Sequence, residues 1–132
     1  MVPAALLALA ACGSGATVDV TATEYAFGGI PDRLSPGETK FVVENVGGEG
    51  HDFILTRVLD EDVSVPEASE LPQAEREAVL EEVAATAVFD PGDIAEVTAD
   101  LRPGPFAYLC MTTTEAGRTH AFEGMWGTFE VS

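Results

Sequence analysis

The chain has 132 residues, enough for one domain with a single hydrophobic core, which excludes most multidomain enzymes. A hydrophobic fraction of 46% with 22% charged residues is that of a folded globular chain, yet 23 Asp and Glu against 6 Lys and Arg leave a formal net charge of −17. The basic residues Arg33, Lys40, Arg57, Arg76, Arg102 and Arg118 never adjoin, so the clustered cations that neutralise a phosphate backbone are missing and nucleic acid is excluded as a partner. The carboxylate excess steers the protein towards positively charged partners at low ionic strength. A solvated surface or adaptation to a salty habitat accounts for the same charge.

At the N-terminus, Val2 to Ala11 is an apolar Ala-Leu run, short of the about 20 residues that span a bilayer. It reads as the remnant of a signal peptide, residues 1–11, whose positively charged opening is expected upstream. Leu9-Ala10-Ala11-Cys12 resembles the bacterial lipobox, which implies cleavage before Cys12, lipidation of its thiol and a tether over residues 12–16. The expected location is extracytoplasmic, with the protein lipid-anchored to the cell membrane. Two other readings of Cys12 are a buried cysteine in a first apolar element and a disulfide with Cys110.

Residues 17–132 form the expected folded domain, and most of it has the period of strands. Thr17 to Tyr25 alternates Val18, Val20 and Ala22 with polar residues before a break at Gly28-Gly29-Ile30-Pro31. Arg33 to Pro36 is a short extended piece; Glu38 to Val46, with Phe41, Val42 and Val43, is a strand; Asn45 to Gly50 is a glycine-rich loop. His51 to Leu59 reads as the next strand, with His51 at its mouth. Residues 60–87 interrupt the pattern. Within them Gln73 to Val83 spaces Ala74, Ala78, Val79, Leu80 and Val83 as one helical face, so this segment is expected to be an insertion carrying one amphipathic helix. Strands follow at Asp93 to Leu101, Pro105 to Cys110 and Trp126 to Val131, separated by Gly-Pro turns. About seven or eight short strands with such turns predict an all-β, Greek-key β-sandwich.

The chemistry-bearing residues are scarce: two histidines, two cysteines and three methionines. Cys110, His120 and Met125 lie on one connection between two predicted strands, and His51 is the only other histidine. Two imidazoles and a thiolate in a trigonal plane with a weak axial thioether hold copper in both of its oxidation states. Zinc is a weaker reading, because structural zinc takes four strong ligands and more thiolates. A Cys110–His120 nucleophile and base would need an oxyanion site and an orienting partner that nothing in the chain announces. Gly47-Gly48-Glu49-Gly50 lacks the lysine of a phosphate-cradling loop.

At these residues the chain resembles the cupredoxins, the small blue copper proteins that include plastocyanin, azurin, auracyanin and halocyanin. Gly50-His51-Asp52-Phe53 is similar to the family's Gly-His-Asn-Phe, and Gly124-Met125-Trp126-Gly127-Thr128-Phe129-Glu130-Val131 is similar to its closing strand. The resemblance implies one type 1 copper site with His51, Cys110 and His120 as equatorial ligands and Met125 as the axial one. Two features depart from the family's pattern. Nine residues separate Cys110 from His120, more than in the small electron carriers and near the length found in the family's copper nitrite reductases. Asp52 stands where the family has an asparagine that ties the ligand loops together, and its carboxylate would favour Cu(II).

The expected function is one-electron transfer between redox proteins, with a basic docking surface on the partner and this chain acting as a monomer. It is not an enzyme, since no imidazole remains for a second copper once His51 and His120 are used. The expected electron route runs through a solvent-facing His120 edge, ringed by Met111, Ala121 and Phe122. Copper storage or delivery without redox cycling is the alternative, and a sandwich serving only as a binding or structural module is a third reading.

Overall fold

The structure, a computed structural model, describes residues 15–132. The signal remnant, Cys12 and most of the expected tether lie outside the described residues. Within them the chain forms strands β1 (Ala16–Thr23), β2 (Ala26–Gly28), β3 (Arg33–Leu34), β4 (Gly37–Asn45) and β5 (Ile54–Val58), then helices α1 (Val65–Ser69) and α2 (Gln73–Glu77). Strands β6 (Leu80–Ala85), β7 (Ile94–Leu101), β8 (Gly104–Leu109) and β9 (Trp126–Val131) complete it. One sheet has the order β2-β1-β4-β7 and the other β3-β9-β8-β5-β6, so the chain passes repeatedly from sheet to sheet, as a Greek-key sandwich requires. No helix among the described residues is long and apolar enough to cross a membrane.

The alternation read in the sequence is the device that closes the sandwich, because successive strand side chains point to opposite faces. Val18, Val20 and Ala22 of β1 point inward beside Phe41 and Val43 of β4 and Val97, Ala99 and Leu101 of β7. The opposite sheet contributes Leu55, Phe106, Tyr108, Phe129 and Val131, with Phe53 just before β5. Phe41 and Phe53 lie 5.6 Å apart between ring centroids, and Phe106 stacks on Phe129 at 5.3 Å. Each such buried ring contributes about 1.5–3 kcal/mol over its exposed state.

β8 departs from alternation: Phe106, Ala107, Tyr108 and Leu109 are all buried. The segment expected as an insertion explains this. Val65, Ala68, Val79 and Leu80 pack with Ala107, Leu109 and Ala121 into a second cluster on the outer face of that sheet. A strand covered on both faces needs a continuous apolar run, which Pro105 to Cys110 supplies.

The structure corrects the secondary structure expected around this segment. The predicted helix over Gln73–Val83 stops at Glu77, and Leu80–Ala85 is an edge strand paired antiparallel with β5. Helical spacing and strand alternation overlap over such a short stretch. The β-strand prevails because Leu80 enters the second cluster and the backbone gains a ladder on β5, while exposed Glu81 and Glu82 protect the free edge. The helix the segment does carry upstream, α1, starts at Ser64 with a capping box: the Glu67 amide donates to Ser64 Oγ at 3.3 Å and the Ser64 amide to Glu67 Oε1 at 3.4 Å. The strand expected from His51 begins only at Ile54, and His51 instead forms an isolated bridge with Phe89.

Candidate metal centre

Three chain segments converge at one end of the sandwich. His51 is held by two backbone hydrogen bonds to Phe89: its amide donates to the Phe89 carbonyl at 3.2 Å, and the Phe89 amide returns one at 2.8 Å. Cys110 follows β8 directly, and its amide donates to the Met125 carbonyl at 3.1 Å. His120 and Met125 are drawn back to Cys110 by a compact turn, in which the Ala121 amide donates to the Cys110 carbonyl at 2.9 Å and the Met125 amide to the His120 carbonyl at 3.0 Å. Gly124 closes this turn at φ +119°, a conformation that a side chain would strain.

The result is a buried cluster of three donors. His51 Nδ1 and His120 Nδ1 lie 3.1 Å apart, and Cys110 Sγ lies 4.0 Å from the first and 3.6 Å from the second. All three donor atoms fall within 4.8 Å of one another, a spacing that one metal ion between them would bridge. Cys110, His51, His120 and Met125 are all buried, and Met125 belongs to the same core as the cysteine. Cys110 is a free thiol, and the disulfide reading of Cys12 lies outside the described residues.

Electrostatics keep Cys110 and His120 neutral without a metal. Burial, with the Asp52 carboxylate adding to it, pushes the Cys110 thiol up to about 12, although the Asp52 amide pointing at Sγ at 3.4 Å opposes this. Burial, and next the neighbouring His51, lower the pKa of His120. A soft thiolate with two imidazoles suits copper or zinc, and a cation would have to displace the thiol proton. His120 Nε2 is buried without a hydrogen-bond partner. With both rings neutral, facing Nδ1 atoms at 3.1 Å force one ring to carry its proton on Nδ1; a cation between them removes that demand, so the donors fit a metal.

Asp52 does what its position predicts. Its Oδ1 accepts the Met111 amide at 2.7 Å, joining the His51 segment to the Cys110 segment. The exposed route expected at His120 is not present: its ring is 1% exposed, and Ala121 is fully buried. Tyr25 lies edge-on to the imidazole at 4.7 Å between centroids, and Glu49 Oε1 stands 3.5 Å from Nε2. Met111 is half-buried, and Phe122, at 40% exposure, is the only one of the three expected patch residues that is open to solvent.

Further contributors escaped the sequence reading. Glu24, in the β1–β2 turn, places Oε2 2.8 Å from His51 Nε2 and accepts the amides of Gly48 and Glu49 at 2.9 and 3.0 Å. These bonds, the Gly48 amide foremost, hold its carboxyl below the usual range. Asn45 donates to the carbonyls of Glu49 and Phe89 at 2.8 and 3.0 Å and accepts the Gly47 amide at 2.9 Å, which shapes the loop leading to His51. Ser69 and Glu70 reach the residue before His120: Ser69 Oγ meets Thr119 Oγ1 at 2.7 Å, and Glu70 accepts the Thr119 amide at 2.8 Å. None carries a local signal, since each acts on a partner at least 24 positions away or, for Asn45, through a loop whose course the sequence leaves open.

No protein-family model and no curated protein sequence matches the chain. Solved structures do. Auracyanin B is 24% identical with a TM-score of 0.63, covering 88% of each chain. Auracyanin A of Chloroflexus aurantiacus, a blue copper protein, is 19% identical with a TM-score of 0.62 over 90% of this chain and 100% of its own. Rusticyanin of Thiobacillus ferrooxidans is 24% identical with a TM-score of 0.60 over 90% of this chain and 79% of its own. Strand order, core and these likenesses agree on one architecture: the chain is a Greek-key β-sandwich with the cupredoxin fold.

Proposed function

We propose that the protein is a type 1 copper protein that passes single electrons, with His51, Cys110 and His120 as equatorial ligands and Met125 as the axial one. The observation that carries this reading is the buried convergence of one thiol and two imidazole Nδ1 atoms within 4.8 Å. The blue copper chemistry of auracyanin A, which shares the fold, supports it. Copper bound by such donors supplies a one-electron couple; the protein holds the donors rigidly, which keeps rearrangement between the two oxidation states small. No reaction beyond electron exchange is proposed.

The deciding experiment adds Cu(II) to the full chain and records its visible and electron-paramagnetic spectra. An intense blue band that disappears in Cys110→Ser and survives in Met125→Leu, with a raised potential, is the expected result. A Cys110→Ser variant that keeps the band refutes the ligand set.

The same reading assigns Cys12 as a lipidated residue holding the domain at the extracytoplasmic face of the cell membrane, as a monomer that meets redox proteins with basic docking surfaces. Its support is the Leu9-Ala10-Ala11-Cys12 sequence and the net charge of −17. Diacylation anchors firmly where one chain does not. Cys12→Ala is expected to move the protein to the soluble fraction, and unchanged membrane recovery counts against the anchor.

Copper storage or delivery remains the second reading, favoured by the burial of His120 beneath Tyr25 and Glu49. Reversible cycling between the two copper states separates carrier from store.

A further inference from the structure

Both imidazoles of the cluster turn Nδ1 inward, and each turns Nε2 towards a glutamate, yet the two outer contacts differ. His51 Nε2 is 2.8 Å from Glu24 Oε2, a hydrogen-bond distance that requires the proton on Nε2, because a carboxylate only accepts. Glu24 is itself fixed by the amides of Gly48 and Glu49. His120 Nε2 is 3.5 Å from Glu49 Oε1 and makes no hydrogen bond, although it is buried. The Glu49 carboxylate is meanwhile engaged by the Tyr25 hydroxyl at 3.3 Å.

These distances form one consistent proton arrangement. Glu24 commits His51 to the Nε2–H tautomer, leaving its Nδ1 lone pair facing inward. His120 Nδ1, 3.1 Å away, must then donate to that lone pair, which leaves His120 Nε2 bare and explains why a carboxylate stands off from it. A metal ion held by both Nδ1 atoms would reverse the demand on His120 alone, whose proton would then sit on Nε2, 3.5 Å from Glu49 Oε1.

We propose that Glu24 is a positioning residue that sets the tautomer of the His51 imidazole before any metal arrives, so that its Nδ1 lone pair already faces the site. This deepens the metal-site reading and rests on it for the effect on metal affinity, whereas the tautomer itself concerns the metal-free protein. A carboxylate on the far nitrogen of a ligating histidine fixes ring orientation and raises ligand basicity, and its loss typically costs about 10–100-fold in metal affinity.

The test is nitrogen-15 NMR of the histidine side chains in the full chain, metal-free and with Cu(I), and with Zn(II) as a diamagnetic probe independent of the copper reading. Expected without metal are Nε2–H on His51 and Nδ1–H on His120; with either metal, both rings carry Nε2–H. Glu24→Ala should release His51 into a mixture of tautomers and weaken metal binding about 10–100-fold. Glu24→Gln, which keeps a carbonyl acceptor, should restore the His51 tautomer and most of the affinity, an outcome that mere loosening of the turn would not give. Metal-free His120 already bearing Nε2–H, or His51 retaining a single tautomer in folded Glu24→Ala, overturns the proposal. Failure to form a blue copper species while the metal-free tautomers are as stated would instead count against the copper reading.

Discussion

Asp52 and Met111, 59 positions apart, are joined by one short hydrogen bond from the Met111 amide to Asp52 Oδ1 at 2.7 Å. The bond ties the residue after His51 to the residue after Cys110 and so links the two segments that carry these donors. Asp52→Asn keeps an acceptor but removes the charge. On copper loading it should preserve the blue band and raise the reduction potential, because the carboxylate favours the more positive oxidised ion. Asp52→Ala should instead shift the visible spectrum by letting the segments drift. Identical potentials for wild type and Asp52→Asn, measured by redox titration, would dismiss the electrostatic role.

Cys110 is buried, and its pKa is pushed up to about 12. Thiolate, not thiol, is the attacking species. The metal-free folded protein should therefore react far more slowly with an alkylating reagent at pH 8 than the unfolded chain does. Equal rates in native buffer and in urea would mean that the thiol is accessible and ionised.

Phe41 lies fully buried between the sheets against Phe53 and Phe129. Phe41→Ala leaves a cavity that neighbouring strands cannot fill and should cost about 3–5 kcal/mol, read from urea unfolding of the metal-free protein. A loss below about 1 kcal/mol would indicate a core that collapses around the gap.

Glu70 couples the helical segment to the ligand loop. The Thr119 amide, which it accepts, is the main cause that lowers its pKa. A depressed folded-state pKa contributes stability that is present above the unfolded value and is lost as pH falls through the folded one. Loop protection at Thr119 and His120 in hydrogen exchange should thus weaken as pH drops below the ordinary carboxylate range. Glu70→Gln should flatten that dependence, and an unchanged pH profile in the variant would show that other groups govern the loop.

Tyr25 covers the His120 ring, and Phe122 stands exposed beside it in sequence, with the Arg118 guanidinium 3.9 Å over its ring. Tyr25→Ala should speed electron exchange with small redox dyes by opening His120. Phe122→Glu should slow exchange with protein partners while sparing the spectrum. Stopped-flow rates unaffected by either change would put the exit route elsewhere on the surface.

How much of this was legible beforehand follows from the range of the interactions. The inward faces of β1, β4 and β7 could be read from alternation, which is a local property of the backbone. His51, Cys110 and His120 could be picked out because histidine and cysteine are so scarce here, and few arrangements of them make a coherent donor set. The segment at 60–87 was legible as an insertion carrying a helix, which the structure has at Gln73–Glu77, but the end of that helix was not. Packing against Ala107 and Leu109, together with a ladder on β5, decided that Leu80–Ala85 became a strand. Glu24 and Glu49 were two carboxylates among 23, indistinguishable by spacing from those on the solvated surface. The β1–β2 turn and the loop after Asn45 bring them against His51 and His120. Their roles depend on contacts between chain segments whose separation no local period encodes, and so only the tertiary structure could assign them.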